Sequence, residues 1–138
     1  MSLTRPQMRS ALRGALAISA DFAGHTVLTS WGRNKDAASL PSIGIFTPRF
    51  QIQTAAVGAR QETTDLLVLI GRQDGDTLED LLDADATAME TLVLETLAPD
   101  FDEIEILSGE NDVPGIGEKR LGTMMLTFRA VALTDRII

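Results

Sequence analysis

Cysteine and tyrosine are absent from this sequence, which has one tryptophan, one histidine and 4% aromatic residues. The lack of cysteine excludes disulfides, thiolate metal sites and cysteine nucleophiles, and it is compatible with a reducing cytoplasm. One histidine and no cysteine leave only oxygen ligands for a metal, so we expect no metal and no cofactor. No apolar run approaches the ~18 residues of a membrane-spanning helix. The length of 138 residues predicts a single domain, 1–138.

Basic residues are almost missing from the middle of the chain. Between Gln61 and Glu118 there are 17 of the 20 acidic residues and one basic residue, Arg72. The first 60 residues carry seven Lys/Arg against two Asp, and the net charge of the whole chain is −8. A small domain so divided presents one acidic and one basic surface, which favours head-to-tail stacking with its own copies. The alternative is that the acidic region is only a solubilising face. The acidic balance disfavours nucleic acid as a tightly held ligand.

Local patterns predict two helices and six strands. The segment Thr4-Arg5-Pro6-Gln7 has the form of a capping box and opens a helix over residues 5–20, on which three arginines, Arg5, Arg9 and Arg13, make a basic stripe. A second helix is expected from Asp76 to Pro99, with an acidic outer surface. Strands are expected at 26–31, 41–48, 50–54, 62–72, 103–107 and 120–133, and a loop at 108–118.

The fold class expected from this order, α-β-β-β-β-α-β-β, is α+β. Grouped strands indicate a mainly antiparallel or mixed sheet with the two main helices packed on it. The unbroken apolar run Leu66–Ile70 is typical of a central strand covered on both faces. The alternation in Phe50–Thr54 instead indicates an edge strand or exposed hairpin arm, with one face buried and the other wet.

No catalytic motif is convincing, and we expect no enzyme activity. His25 has no partner that would make it a general base, so a structural or exposed histidine is the simpler interpretation. The acids between Asp74 and Asp80 lack the spacing of a calcium loop, and helix capping explains them. The run Gly115–Lys119 lacks the spacing and the Ser/Thr of a phosphate-binding loop.

The order of elements and several local strings resemble the tail terminator proteins of long-tailed bacteriophages, the lambda minor tail protein U type, which also occur in prophages and gene transfer agents. The resemblance is one of pattern and covers most of the chain. It rests on the helix string Ala11–Leu16, the proline-started strand Leu40–Phe46, the polar hairpin Ala55–Asp65, the strand Leu67–Ile70, the acidic segment Asp74–Asp85 and the last strand Leu121–Leu133.

The resemblance implies a non-enzymatic virion assembly protein. Six copies would form a ring that caps the completed tail tube, stops its polymerisation and offers a surface to the connector of the head. The implied partners are the chain itself, the tail tube protein and the head-completion protein, and the implied location is the virion tail, with assembly in the host cytoplasm. DNA would pass through the lumen without specific binding, since acids of the middle segment lining it would repel phosphates. No membrane is involved.

Two regions are candidates for the contacts of such a ring. Adding an exposed hairpin at Phe50–Glu62 to the sheet edge of a neighbour would use a known mode of recognition, and its arginines would meet the acidic surface of the next subunit. The subunit contacts predicted there are Arg49, Gln51, Gln53, Arg60 and Glu62. The loop Gly109–Glu118 is the candidate for contact with a neighbouring ring, and its predicted residues are Gly109, Glu110, Asp112 and Glu118. The alternative for both regions is a hairpin and a loop without a partner.

Two other functions remain open on the sequence. A head–tail joining or neck protein would also form a ring but would bind the connector rather than the tube. A small bacterial protein-binding module would instead be a stable monomer or dimer with an apolar groove. Tail tube and tape-measure genes beside this one would favour the tail terminator.

Overall fold

The computed structural model describes residues 3–28, 41–56, 58–74, 77–112 and 120–135. The chain begins with helix α1 (Arg5–Ile18), a single 3₁₀ turn (Ala20–Phe22) and the short strand β1 (Thr26–Leu28). Strands β2 (Ser42–Ala56) and β3 (Ala59–Asp74) follow, and then helix α2 (Leu78–Leu97) with a 3₁₀ turn at Ala98–Asp100. Strands β4 (Glu103–Asp112) and β5 (Arg120–Asp135) complete the order.

The five strands form one mixed sheet in the order β1-β2-β3-β5-β4. The short β1 runs parallel to β2, and every other pair is antiparallel. Strand β3 is central and pairs with β5 over its whole length, from Ala59 opposite Asp135 to Asp74 opposite Arg120. The predicted fold class, α+β with two main helices on a mixed sheet, is therefore confirmed.

Both helices pack on the same face of the sheet, and the core lies between them and the strands. Helix α1 contributes Met8, Leu12 and Leu16, spaced four residues apart on one side of the helix. The strands contribute alternate residues, as a pleated strand requires. The strand residues of the hydrophobic core are Ile43, Ile45, Leu66, Val68, Ile70, Met124, Leu126, Phe128 and Ala130. On the last strand, the even-numbered residues 124–130 thus face the helices.

The start of α1 is capped as its sequence predicts, whereas the start of α2 is not. The backbone N–H of Gln7 donates to Thr4 Oγ1 at 3.3 Å, and the backbone N–H of Thr4 donates to Gln7 Oε1 at 2.9 Å. Thr77 precedes α2 without a side-chain cap, and its hydroxyl donates to Asp74 Oδ2 at 3.3 Å instead. The helices also end earlier than the apolar pattern suggests, at Ile18 and Leu97.

The segments 41–48 and 50–54, predicted as separate strands, are one continuous strand, β2. The pairing with β3 is irregular between Phe46 and Arg49, where one extra residue of β2 makes a bulge. Pro48 lies in this bulge, and its ring nitrogen has no hydrogen to donate to a neighbouring strand. The proline therefore interrupts the sequence pattern without ending the strand. Residues 29–31, the end of the strand predicted at 26–31, lie outside the described residues.

The loop predicted to start at Ser108 is wrong over its first five residues. Residues 108–112 continue β4 and pair with Thr123–Thr127 of β5, after a bulge at Leu107. The local composition Ser-Gly-Glu-Asn-Asp is typical of a turn, but strand propensity depends on context and pairing with β5 overrides it. The remainder of that loop, 113–119, lies outside the described residues.

Candidate functional site

Basic and acidic residues are separated between the two lateral edges of the sheet. Helix α1 and strand β2, which are in contact, carry four arginines and no acidic residue. Helix α2 carries six acidic residues, strand β4 carries four, and neither carries a basic residue. Helix α2 lies over β3, β5 and β4, and β4 is the edge strand on that side. The folded chain thus has a basic edge, formed by α1 and β2, and an acidic edge, formed by α2 and β4.

The hairpin predicted at residues 50–62 extends past the helices. Its two strands are joined at residues 57–58, where Gly58 has φ +84°, a left-handed conformation that glycine adopts without strain. The end of β5 runs along β3, so the projection has three strands. We call the residues 49–56 and 59–65 the hairpin arm. Its residues Phe50 and Ile52 are 45% and 49% exposed although they point toward the helix side. The expected burial of one face of 50–54 is therefore wrong: the Arg5 side chain of α1 lies against Phe50, but both apolar side chains stay about half exposed.

The predicted subunit contacts all lie on the hairpin arm, but they do not form one patch. Arg49, Gln51 and Gln53 pair with Asp65, Thr63 and Gln61 on the face opposite the helices. Arg60 and Glu62 lie on the helix side, where Arg60 Nη2 is 3.3 Å from Glu62 Oε2. These two residues form an ion pair within the chain, so only the first three side chains present a polar row on one face.

The basic stripe on α1 is directed toward β2. The guanidinium of Arg5 lies 3.5 Å from the centre of the Phe50 ring, and Arg5 Nη1 is 3.7 Å from Glu62 Oε1. Arg9 Nη1 donates to Thr47 Oγ1, beside the bulge of β2. Arg5 therefore anchors the hairpin arm to α1, and Arg9 ties α1 to β2 beside the bulge, so this part of the stripe is more than a solvated helix surface.

Three of the four residues predicted for contact with a neighbouring ring lie in a strand and not in the expected loop. Gly109, Glu110 and Asp112 belong to strand β4, and Glu118 lies outside the described residues. Glu110 and Asp112 are exposed on the face opposite the helices, opposite Met125 and Thr123 of β5. They form part of the acidic edge rather than of a loop.

The face of the sheet opposite the helices, here called the open face, is not covered by any of the described helices. A row of charges crosses four strands at one level: Arg49 of β2 is opposite Asp65 of β3, and Arg129 of β5 is opposite both Asp65 and Glu105 of β4. Arg129 Nε lies 3.8 Å from Asp65 Oδ1. Arg49, Asp65 and Arg129 also line a small cleft on this face. The signs alternate across the row, +, −, +, −.

A buried cluster of ionisable groups lies at the other end of the sheet. Arg72, near the end of β3, donates two hydrogen bonds to Asp85 of α2, from Nε to Oδ2 and from Nη2 to Oδ1 at 3.1 Å. Nε2 of His25, just before β1, is 3.7 Å from Asp85 Oδ2, which is longer than a hydrogen bond. The side chains of His25 and Asp85 are 4% and 7% exposed. The cluster therefore ties β1, β3 and α2 together.

The electrostatics of this cluster favour an ionised carboxylate. Burial alone would raise the pKa of Asp85, but the nearby His25 and the hydrogen bonds and charge of Arg72 outweigh it, so the pKa of Asp85 is lowered. The hydrogen bond to Asp85 raises the pKa of Arg72 against the effect of burial. An Asp that is held ionised and already bonded to an arginine is a poor proton acceptor.

The single histidine is enclosed rather than presented to a substrate. Its ring packs edge-on against Phe22, with centroids 5.1 Å apart at 76°. Within the described part of the chain, neither ring nitrogen has a hydrogen-bond partner. The geometry thus assigns His25, together with Arg72 and Asp85, to the structural core. Sequence reasoning did not associate the three.

Three further features of the described residues bear on known types of site. A groove of about 660 Å³ lies between α1 and α2, lined largely by small side chains such as Ala15, Ala84 and Ala88. Over the described ranges, no three His, Asp or Glu side chains are grouped so as to hold a metal ion. Neither α1 nor α2 combines the length and apolarity that a membrane span requires. The charged edges, the hairpin arm and the open face remain as the features that geometry offers for interaction.

No model of a known protein family and no curated protein matches the chain.

Proposed function

We propose that this chain is a non-enzymatic assembly protein of the tail terminator type, which forms a ring that caps a completed phage tail tube and offers a surface to the head. The observation that carries the proposal is the separation of charge between the basic edge and the acidic edge of one sheet. When such units stack side by side, the basic edge of each meets the acidic edge of the next. Contacts of this head-to-tail kind close into a ring when the rotation per subunit allows it.

The hairpin arm supports the same proposal. Its apolar residues Phe50 and Ile52 are about half exposed, and its polar row of Arg49, Gln51 and Gln53 lies on the other face. Along the hairpin arm, at residues 49–54 of β2, no described strand lies beside the outer backbone edge of β2. Such an edge accepts a strand from another chain. The arm can therefore extend the contact between neighbours.

A ring built in this way has two different sides. A terminator needs this difference: one side must match the end of the tube, and the other must not accept another layer of tube protein. The end of β4 that carries the exposed Glu110 and Asp112 and the tip of the hairpin arm at Arg60 lie at opposite ends of the strands. Their separation provides two chemically distinct sides.

The proposal is tested by light scattering after size exclusion, at low and at high salt, with negative-stain imaging of the largest species. We expect rings, or a mixture of monomers and rings that loosens as salt screens the charged edges. When a polymerising tail tube protein is added, the chain should bind tube ends and shorten the tubes. A chain that binds neither tube ends nor itself at any salt concentration would overturn the proposal, and binding to a connector alone would identify a neck protein.

A further inference from the structure

We propose that the open face of the sheet binds a second copy of this chain, face to face, about a two-fold axis that runs parallel to the strands. The inference does not depend on the proposed function, because the ring uses the edges of the sheet and this pairing uses its face. The pairing predicts a two-copy species, which the ring does not require.

Apolar residues occupy a face of the sheet that the described helices leave uncovered. Leu66–Ile70 is unbroken and apolar, a pattern typical of strands buried on both faces. Leu66, Val68 and Ile70 are fully buried under the helices, whereas Leu67 and Leu69 are only partly buried on the open face. On the neighbouring strand β5, the open face adds three large apolar side chains that are exposed: Leu121 at 44%, Met125 at 38% and Leu133 at 55%. The sequence of the central strand is thus typical of a strand that also has a packed layer on its open face.

The charge row on the open face identifies a second copy of the chain as the occupant. Arg49, Asp65, Arg129 and Glu105 lie side by side on strands β2, β3, β5 and β4, with strands about 4.8 Å apart. Read from one side of the sheet, the signs are +, −, +, −. Read from the other side, they are −, +, −, +. If a second copy of the row is turned end to end about its centre and laid on the first, every charge therefore faces a charge of the opposite sign.

A two-fold axis parallel to the strands, midway between β3 and β5, performs this reversal. Arg49 then faces Glu105 of the second copy, and Asp65 faces Arg129 of the second copy, each twice in the pair. In a neighbouring row, Leu69 faces Met125 of the second copy, since Leu69 and Met125 are directly paired across β3 and β5. Two sheets packed with nearly aligned strands, about 10 Å apart, make such contacts between their inner faces. Opposite charges and apolar groups are thus matched by one symmetry operation.

The test uses two single variants, Arg49→Glu and Glu105→Arg. The outer positions of the pair are the two places where residue 49 of one copy faces residue 105 of the other. Each variant alone places like charges opposite each other at both of these places, so its two-copy species should be lost. In an equimolar mixture, the introduced glutamate of one variant meets the introduced arginine of the other. At the second outer position the native Glu105 of the first variant meets the native Arg49 of the other, so the two-copy species should return.

Sedimentation velocity measures the masses, and the wild type is expected to show a species of twice 14.9 kDa, alone or beside rings. Glu95→Arg, a charge reversal on the exposed side of α2, is the matched control and should leave the mass unchanged.

A second measurement does not depend on charge. Because the native chain has no cysteine, Leu69→Cys and Met125→Cys can be mixed and oxidised, and a disulfide between the two variants is expected. Leu69→Cys mixed with Glu95→Cys should form none, since Glu95 lies on the helix side.

A wild type without a two-copy species, or a mixture that stays monomeric and does not cross-link, would overturn the pairing. Wild-type rings without any two-copy species would overturn the pairing while leaving the proposed function intact, whereas two-copy species without any ring would do the reverse.

Discussion

The guanidinium of Arg72 meets the carboxylate of Asp85 side-on, so that two N–H groups donate to the two carboxylate oxygens. Arg72 is on the central strand and Asp85 on the long helix, and both point into the same layer of the fold. A paired geometry of this kind fixes orientation as well as charge. It therefore specifies how α2 lies on the sheet.

Asp85→Asn should destabilise the fold by about 2 kcal/mol, because it leaves the guanidinium of Arg72, whose side chain is 22% exposed, without its carboxylate partner. The free energy of unfolding in urea measures the loss. Asp80→Asn on the exposed side of the same helix is the control, and we expect a change within about 0.5 kcal/mol. The double variant Arg72→Met/Asp85→Leu should lose less than Asp85→Asn, because it removes both charges and keeps apolar volume. Equal losses in Asp85→Asn and Asp80→Asn would contradict a structural role for the pair.

The contribution of Asp85 should also depend on pH. Its pKa in the folded state is lowered from the ordinary 3.8, so the folded state stabilises the ionised form. That stabilisation is present above the ordinary pKa and is lost as the pH falls through the folded value. The difference in unfolding free energy between wild type and Asp85→Asn should therefore narrow as the pH falls from 5 to below about 4. Urea titrations at these pH values measure it, and a difference that widens on acidification would contradict the assignment.

The fold class follows from the sequence because the core obeys simple periodicity. Leu66, Val68 and Ile70 alternate on β3, and Met8, Leu12 and Leu16 repeat every four residues on α1. The extension of β4 through residues 108–112 could not be predicted, because those residues are in a strand only through pairing with β5. Likewise the union of the two segments around Pro48 depends on a bulge, which is a property of the strand pair.

The buried pair has a signal in the sequence that emerges only when two elements are compared. Arg72 continues the inward series 66, 68, 70 on β3, and Asp85 falls seven residues after Leu78 and four before Met89 on the apolar stripe of α2. Two opposite charges at inward positions of neighbouring elements predict a buried pair, since neither is tolerated alone. The charge row on the open face, by contrast, requires the order β2-β3-β5-β4, which no local pattern supplies.

At Gly122, the backbone of β5 lies close to two leucine side chains of α2. A Cβ at this position would lie 2.9 Å from Leu82 Cδ1 and 3.0 Å from Leu78 Cδ2, and both leucines are fully buried. Gly122→Ala should therefore cost about 1–3 kcal/mol through overpacking. Gly14→Ala on α1 has nothing within 4 Å and should stabilise by about 0.5–1 kcal/mol, because alanine suits a helix better than glycine. Thermal unfolding of the two variants in parallel checks the opposite signs, and the same sign for both would contradict the close approach of α2 to β5.

Two exposed isoleucines, one on the hairpin arm and one at the end of α1, test whether the arm takes part in the contact between subunits. Ile52 on the arm is 49% exposed, and Ile18 at the end of α1 is 89% exposed. Ile52→Lys should abolish self-association in rings, because it places a solvated charge within the proposed contact between subunits. The monomer should unfold within about 1 kcal/mol of wild type, since a half-exposed side chain contributes modestly to folding. Ile18→Lys makes the same chemical change away from the arm and should leave the salt-dependent mass distribution of the wild type unchanged. The two variants are compared by light scattering at low salt. If both dissociate the assembly equally, net charge rather than the arm controls association, and if neither does, the arm lies outside the contact between subunits.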